Sequence, residues 1–165
     1  MTRRVQVTRD LAIPVEEAYA RVLDWRSHPD WIPMTRAESN GGESFTMVSG
    51  PFVHRGVPGF PDRMVTTHTR PPSGDGTGPD GAGLVEVRKL GPGLLGDAGF
   101  EVRALRDGGS RVLWWESVYL AGPLPAGVTR PAVGLFLEVF MRVSLARLDA
   151  LTRARSRSGS DDGDR

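Results

Sequence analysis

The sequence predicts an α+β domain, an antiparallel sheet with its helices packed on one face, and two observations lead to this prediction. The first is a long amphipathic segment, Pro131 to about Arg155, which contains no proline after its first residue. The second is a run of six short strand-like segments between residues 34 and 123, joined by turns rich in glycine and proline. Strands joined by short turns pair antiparallel, and a helix that follows them buries its apolar side against the sheet.

The closing segment has the features of one long helix. Pro131 suits the first turn, where its missing N–H costs nothing, and Thr129 can cap the helix just before it. At 1.5 Å per residue the segment would span roughly 35–40 Å, which is enough to cross a small domain. Its charged residues gather into one polar stripe on a helical wheel: Glu138, Arg142, Asp149 and Arg153. The remaining surface is apolar on several sides, so we expect the strands to wrap around it.

The chain begins with a strand that two helical segments follow. Residues 3–13 alternate in hydrophobicity, as a strand does. Pro14 then opens a helix, and a His-Pro pair at residues 28–29 ends it. The next four residues are expected to form a second short helical turn. With the six later strands, the predicted order of elements is β-α-α-β6-α.

Length and charge indicate an ordinary globular protein. A chain of 165 residues is one domain's worth, and we assign residues 1–157 to the domain and the polar residues 158–165 to a disordered tail. The net charge of +1 gives no reason to expect nucleic acid as a partner. The sequence contains neither a run of 18 apolar residues nor an apolar signal core near its start. We therefore expect a cytoplasmic protein without stable membrane insertion.

The residue types exclude several kinds of chemistry. The chain contains no cysteine, which excludes disulfides, cysteine-ligated zinc and thiol nucleophiles. Its three histidines lack the spacing of a zinc motif, and the sequence has no phosphate-binding glycine loop and no serine nucleophile elbow. We therefore expect neither a metal nor a cofactor.

The order of several short motifs resembles a known superfamily. The motifs are Pro14-Val15-Glu16-Glu17-Ala18 at a helix start, Trp25, His28-Pro29-Asp30-Trp31-Ile32-Pro33 before the second strand, and Gly109-Ser110-Arg111-Val112 leading to Trp114. Together with the long closing helix, this order resembles the START or helix-grip superfamily (SRPBCC), and within it the polyketide cyclase/dehydrase and lipid-transport group. The resemblance covers about residues 4–155. It implies a curved sheet that grips the C-terminal helix and leaves an apolar cavity between sheet and helix.

The expected cavity has several candidate ligand-binding residues. Flat or flexible apolar side chains suit an aromatic or lipidic ligand, and in helix-grip proteins the irregular loop after the third strand borders the cavity mouth. The candidates are Trp31, Met34, Phe52, His54, Met64, Trp114, Phe136 and Phe140. Large side chains at such positions also build ordinary core, and His54 is also explained as a solvated loop residue.

Two titratable residues are candidates for acid–base catalysis. His68 shares a strand face with Met64 and Thr66 by the period of two, and it would look into the cavity if that face is the concave one. The opposite face is equally plausible as the inner one. In the strand around Glu116 both alternating sets of residues are apolar, and only the resemblance favours the set that contains Glu116. The other interpretation of Glu116 is a carboxylate on the outer face, or one paired with an arginine.

Three kinds of function are compatible with this sequence. The leading hypothesis is the binding of a hydrophobic or aromatic small molecule (a lipid, an isoprenoid or a polyketide-like compound), because a long helix on a bent sheet need not fill the concavity. The second is an enzyme of the cyclase or dehydratase type that uses His68 or Glu116 to move protons. The third is a protein-interaction module, which requires an exposed apolar patch such as Trp115 and Tyr119 on the outer sheet face.

Overall fold

The framework of the protein is a seven-stranded antiparallel sheet. The computed structural model describes residues 4–74, 76, 78–121 and 126–160, with side chains in the last segment from 133 to 155. In these ranges the strands are β1 (Val5–Leu11), β2 (Thr35–Ser39), β3 (Ser44–Ser49), β4 (Phe60–Arg70), β5 (Gly83–Pro92), β6 (Leu94–Ala104) and β7 (Ser110–Leu120). The helices are α1 (Val15–Leu23), α2 (His28–Trp31) and α3 (Ala126–Ser160).

The strands lie in the order β1-β7-β6-β5-β4-β3-β2, and every neighbouring pair is antiparallel. The first two strands of the chain are therefore at opposite edges of the sheet, and α1 and α2 carry the chain across the concave face between them. The curved sheet with the long closing helix confirms the predicted α+β architecture.

The closing helix is longer than predicted at both ends. It begins at Ala126, so Pro131 lies inside its second turn and not at its first position as predicted. A proline there removes one backbone hydrogen bond, a loss that the many other bonds of a long helix outweigh. The helix continues to Ser160, beyond the predicted end near Arg155. Most of the predicted polar tail, residues 161–165, lies outside the described residues.

The core fills the space between the sheet and one side of α3. The buried side of this helix consists of Leu137, Met141, Leu145 and Leu148. An aromatic cluster continues the core towards α2, with Trp31, Phe100 and Trp114 in edge or tilted contact at ring-centroid distances of 5.0–6.0 Å. Burial of a large apolar side chain contributes about 1.5–3 kcal/mol, so these residues account for much of the stability of the fold.

An ion-pair cluster joins α3 to the edge strand β1. The carboxylate of Asp149 is buried. It accepts hydrogen bonds from Arg9 Nη2 at 2.6 Å and from Arg153 Nε at 2.7 Å. Burial alone would raise the pKa of Asp149, but the hydrogen bonds from Arg153 and Arg9 outweigh it and hold the pKa below its usual value. The sequence placed Asp149 in a solvent-facing polar stripe. The structure instead turns it inward, where its charge holds the C-terminal half of α3 against the sheet.

Candidate ligand-binding site

The concave side of the sheet contains a small apolar cavity. It encloses about 60 Å³ and lies between α1, α2 and the middle strands of the sheet. Its lining includes Trp25, His28, Phe45, Met47, Met64, Thr66, Val87, Lys89, Ala98, Phe100, Trp114 and Glu116. This volume is close to that of two water molecules, whereas cavities that bind small molecules usually measure about 300–1,000 Å³. The described residues that line it include none from α3, so the predicted cavity under the C-terminal helix is not this one.

A second and larger space lies under α3. A groove of about 350 Å³ runs between β1, β7 and the N-terminal half of α3. Its lining is Arg4, Val5, Gln6, Glu116, Val118, Val133, Gly134, Leu135, Leu137 and Glu138. The volume falls within the range of small-molecule sites. The concave side of the sheet thus has two spaces, an outer groove under α3 and an inner cavity beside α1 and α2.

Glu116 lines both compartments. Its side chain is almost fully buried, with 3% of the residue exposed. On β7 the residues Val112, Trp114, Glu116 and Val118 are all buried, while the alternating set is more exposed. The sequence left the choice between these two sets open, since both are apolar. The register with β1 and β6, opposite Val5 and Ala98, turns the set with Glu116 to the concave face.

Two further charged residues meet Glu116 inside the protein. Lys89 Nζ lies 2.7 Å from Asp62 Oδ2 and 3.1 Å from Glu116 Oε2. Lys89 and Asp62 are each 7% exposed. We call these three residues the ion cluster. Charges that are removed from water persist only when they are paired, so each member depends on the other two.

The strand register explains how the ion cluster assembles. Lys89 follows Val85 and Val87 at a spacing of two, so it shares their inward face on β5. The strand β6 lies between Lys89 and Glu116, and Ala98 on β6 pairs with Glu116. Two strand spacings amount to roughly 10 Å, a gap that a lysine and a glutamate span only when the side chain between them is small. Ala98 therefore leaves room for the two charges to meet.

The donors of the ion cluster do not satisfy all of its hydrogen-bond acceptors. Lys89 donates a hydrogen bond to Asp62 Oδ2, whereas Asp62 Oδ1 is buried and accepts none. Glu116 Oε2 is also buried, and it pairs with the ammonium at 3.1 Å without the geometry of a good hydrogen bond. Burial would lower the pKa of Lys89, but the carboxylates of Glu116 and Asp62 together outweigh it and raise the pKa above its usual value. The ammonium therefore keeps its proton, and one positive charge faces two carboxyl groups.

His28 forms another part of the cavity wall. Its Nε2 lies 3.0 Å from the carbonyl oxygen of Val22, and its ring contacts Trp31 and Phe100 edge-on. Burial lowers the pKa of His28 to about 4, against smaller opposing effects of the Val22 carbonyl and Asp24. The ring is therefore neutral at pH 7, and Nε2 must carry the proton that it donates to the carbonyl oxygen.

Solved structures with the same architecture have low sequence similarity to this chain. The ZhuI aromatase/cyclase from Streptomyces sp. R1128 is 16% identical, with a TM-score of 0.64 over 95% of this chain and 97% of that chain. A START superfamily protein from Mycobacterium smegmatis is 12% identical, with a TM-score of 0.66 over 92% and 97%. The di-domain ARO/CYC BexL from the BE-7585A biosynthetic pathway is 16% identical, with a TM-score of 0.62 over 90% of this chain and 45% of that chain. The chain has the START-like helix-grip fold.

The helix-grip likeness establishes the architecture and leaves the activity to the residues of the site. No family model and no curated protein sequence matches this chain. Among the described residues, no three His, Asp or Glu side chains are grouped so that they could hold a metal ion. None of the helices in the described ranges is long and apolar enough to cross a membrane.

His68 lies outside both compartments of the helix-grip fold. On β4, Thr66 pairs with Val87 and His68 pairs with Glu86, so Thr67 is an extra residue in a β-bulge. The bulge shifts the period of two by one residue and turns His68 to the outer face, where it is exposed. His68 was predicted to share the face of Met64 and Thr66 and so to face the cavity. That prediction is wrong, because the period of two applies only to a strand without a bulge.

The candidate ligand-binding residues separate into two groups. Met64 and Trp114 line the inner cavity. Trp31 and Phe140 do not line it, but their rings contact the ring of Trp114. The other candidates line neither compartment and are exposed at the surface. They are Met34, Phe52, His54 and Phe136. The irregular loop that carries Phe52 and His54 therefore lies outside the candidate site.

Sequence reasoning did not find Lys89, Asp62 or His28 as site residues. The alternation Val85, Val87, Lys89 was a usable signal, since it places a lysine on the apolar face of a strand. The signal for Asp62 was weaker, because Leu90 forms a second bulge in β5, opposite the start of β4, and shifts the pairing of the two strands. From the sequence, His28 was identified only as part of the His-Pro pair that ends the first helix, whereas α2 turns it into the core.

The buried neutral ring of His28 predicts a pH-dependent stability. An unfolded histidine takes up a proton near pH 6.5, whereas folded His28 does so only near pH 4, so stability is complete above pH 6.5 and decreases as the pH falls. Between pH 7.5 and pH 5 we expect wild type to lose about 2 kcal/mol through this residue, at 1.36 kcal/mol per pH unit. Urea unfolding of wild type and His28→Gln measures the loss, which the variant should lack. His68→Gln is the matched control and should show the same loss as wild type. An equal dependence of the free energy of unfolding on pH in all three proteins would contradict the prediction.

Replacing Lys89 is expected to destabilise the fold strongly. Lys89→Met leaves Asp62 and Glu116 buried without their cation, which should cost about 3 kcal/mol in free energy of unfolding. The triple variant Asp62→Asn/Lys89→Met/Glu116→Gln removes all the charges and should recover most of that loss. Arg88→Met, which removes the exposed cation next in sequence, should change stability by less than about 1 kcal/mol. Chemical denaturation measures all four proteins, and a Lys89→Met variant as stable as wild type would refute the role of the ion cluster.

Proposed function

We propose that this protein binds a hydrophobic or aromatic small molecule between its sheet and α3. The class of ligand is a lipid, an isoprenoid or a polyketide-like compound. The groove under α3 has the volume that such a ligand needs, and valine and leucine side chains form much of its lining. Proteins named as a START superfamily member and as aromatase/cyclases have the same fold, which supports a ligand-binding role for this chain.

The observation that carries the proposal is the position of Glu116 in both compartments. Because one side chain lines the groove and the inner cavity, a ligand in the groove lies next to the cavity. The cavity wall includes Met47 and Met64, whose unbranched side chains change rotamer at low cost. The ligand body therefore occupies the groove, and one end displaces these side chains to enter the cavity.

An enzyme of the polyketide cyclase or dehydratase type is the second candidate function. The observation that favours it is the ion cluster at the cavity wall, which combines a carboxylate with an ammonium that keeps its proton. Beside a bound ketone, Glu116 would take a proton from the carbon next to the carbonyl group. Lys89 would donate a hydrogen bond to the carbonyl oxygen, where the electron pair of the broken C–H bond accumulates.

The outer face of the sheet supports an interaction module less well. Trp115, one of the two residues expected to form an exposed patch, is half-buried, and the guanidinium of Arg4 lies 4.1 Å from the centre of its ring. Tyr119 is exposed at the end of β7. A single exposed tyrosine is ordinary for a protein surface.

The binding proposal is tested by blocking the groove. Val133→Trp fills part of the space under α3, so the affinity for the neutral fluorescent probe N-phenyl-1-naphthylamine should decrease at least tenfold. Val143→Trp places the same side chain on the exposed side of the same helix and should leave the affinity unchanged. Fluorescence titration measures both variants against wild type. Failure of wild type to bind, or an equal effect of the two variants, would contradict the proposed site.

The enzyme candidate is tested by hydrogen exchange. With 2-acetylnaphthalene in deuterium oxide, wild type should exchange the methyl hydrogens of the ketone faster than buffer alone. Glu116→Gln should reduce the rate to that of buffer, because the amide cannot accept the proton, while Asp97→Asn, at an exposed carboxylate, should not change it. Proton NMR follows the exchange, and a wild-type rate equal to that of buffer would exclude this activity for aryl methyl ketones.

A further inference from the structure

We propose that the ion cluster makes the site selective for ligands that carry a hydrogen-bond donor and no negative charge. Alcohols, phenols, enols and amines meet this requirement, and carboxylates such as fatty acids do not. This inference rests on the proposed ligand-binding function and specifies the chemistry of the ligand.

The ion cluster contains more hydrogen-bond acceptors than donors. Asp62 and Glu116 together have four carboxylate oxygens, and Lys89 has three N–H groups. Asp62 Oδ2 receives a hydrogen bond from Lys89, and Asp62 Oδ1 is buried without one. Glu116 Oε2 lies 3.1 Å from the same ammonium as an ion pair, but outside the geometry of a good hydrogen bond. Leaving a buried acceptor unpaired is costly, so a ligand that brings an O–H or N–H group removes a penalty that the free protein carries.

The carboxylate of Glu116 is the member of the ion cluster that both compartments share. Glu116 lines the groove as well as the inner cavity, so a donor in either compartment has access to its carboxylate. The neighbouring ring of His28 offers no competing donor, because its Nε2–H is directed at the carbonyl oxygen of Val22. The polar wall of the inner cavity thus favours a ligand that donates a hydrogen bond.

The charges around the site also disfavour an anionic ligand. One ammonium, that of Lys89, faces two carboxyl groups in a place where water does not screen them. The other charged residues on the groove are Arg4, which stacks on Trp115, and Glu138, which pairs with Arg142 at 2.7 Å. Neither arrangement leaves a cation aimed at the boundary between the compartments. An anionic ligand group would therefore meet Glu116 without a free partner.

Three ligands with the same ring system test this selectivity. They are 2-naphthol, which donates a hydrogen bond, 2-naphthoate, which is anionic at pH 7.5, and 2-methylnaphthalene, which is apolar. Equilibrium dialysis with wild type should give an affinity for 2-naphthol at least tenfold higher than for either of the other two. Equal or tighter binding of 2-naphthoate by wild type would overturn the inference without any variant.

A variant then identifies the group responsible. Glu116→Gln removes one negative charge and replaces a carboxylate oxygen by an amide donor, so the preference for 2-naphthol over 2-naphthoate should fall below threefold. Because the preference is a ratio of two affinities, damage to the fold that weakens the binding of both ligands alike leaves the preference unchanged. Asp97→Asn, on the outer face, should retain the wild-type preference. A Glu116→Gln protein with undiminished preference would also overturn the inference.

The outcomes distinguish this inference from the proposed function. If all three ligands bind wild type equally, the protein binds hydrophobic molecules and the selectivity is wrong. If none binds, both the proposed function and the selectivity fail. If Glu116→Gln does not fold, Asp62→Asn provides the same charge change while keeping the Lys89–Glu116 pair, and a preference that narrows in this variant supports the inference, whereas an unchanged preference counts against it.

Discussion

The pairing of Lys89 with two carboxylates is the constraint on which the arrangement of the sheet depends. Removing an ammonium and two carboxylates from water costs several kcal/mol for each ion, and only close pairing offsets that cost. The three residues lie on β4, β5 and β7, so the pairing fixes the register of three strands at once. A shift of one residue in β5 would turn Lys89 to the outer face and leave two buried carboxyl groups without a cation.

The same constraint divides the concave side of the fold into two spaces. Packed aromatic rings fill the region between the sheet, α1 and α2, apart from the small cavity beside the ion cluster. On the other side of Glu116, the N-terminal half of α3 leaves an open groove against β1 and β7. Glu116, which is paired with Lys89, lies at the boundary between the two spaces. A ligand that enters from the groove therefore meets polar groups before it reaches the apolar interior.

The sequence predicted the order of the elements and the fold, because strand alternation, turns and a long apolar helix are local signals. It could not predict the site to the same extent, for three physical reasons. The bulge at Thr67 turns His68 outward, and the amino-acid sequence of the strand does not indicate that it contains an extra residue. The face of α3 was ambiguous because apolar residues surround it, and Phe136 is 64% exposed while Asp149 is buried. Lys89 was visible in the alternation of β5, but its partners come from strands that are distant in sequence.

The unequal attachment of α3 has a mechanical consequence. The helix is fixed near Asp149, where Arg9 of β1 pairs with the carboxylate and Leu145 and Leu148 are buried, whereas the segment around Gly134 borders the groove. Fifteen residues separate the two points, which corresponds to a lever arm of roughly 22 Å. A tilt of only about 10° with Asp149 as the pivot would move the far end of the rod by about 4 Å, comparable to the thickness of an aromatic ring. A rocking of the helix by this amount would be sufficient to admit a flat molecule.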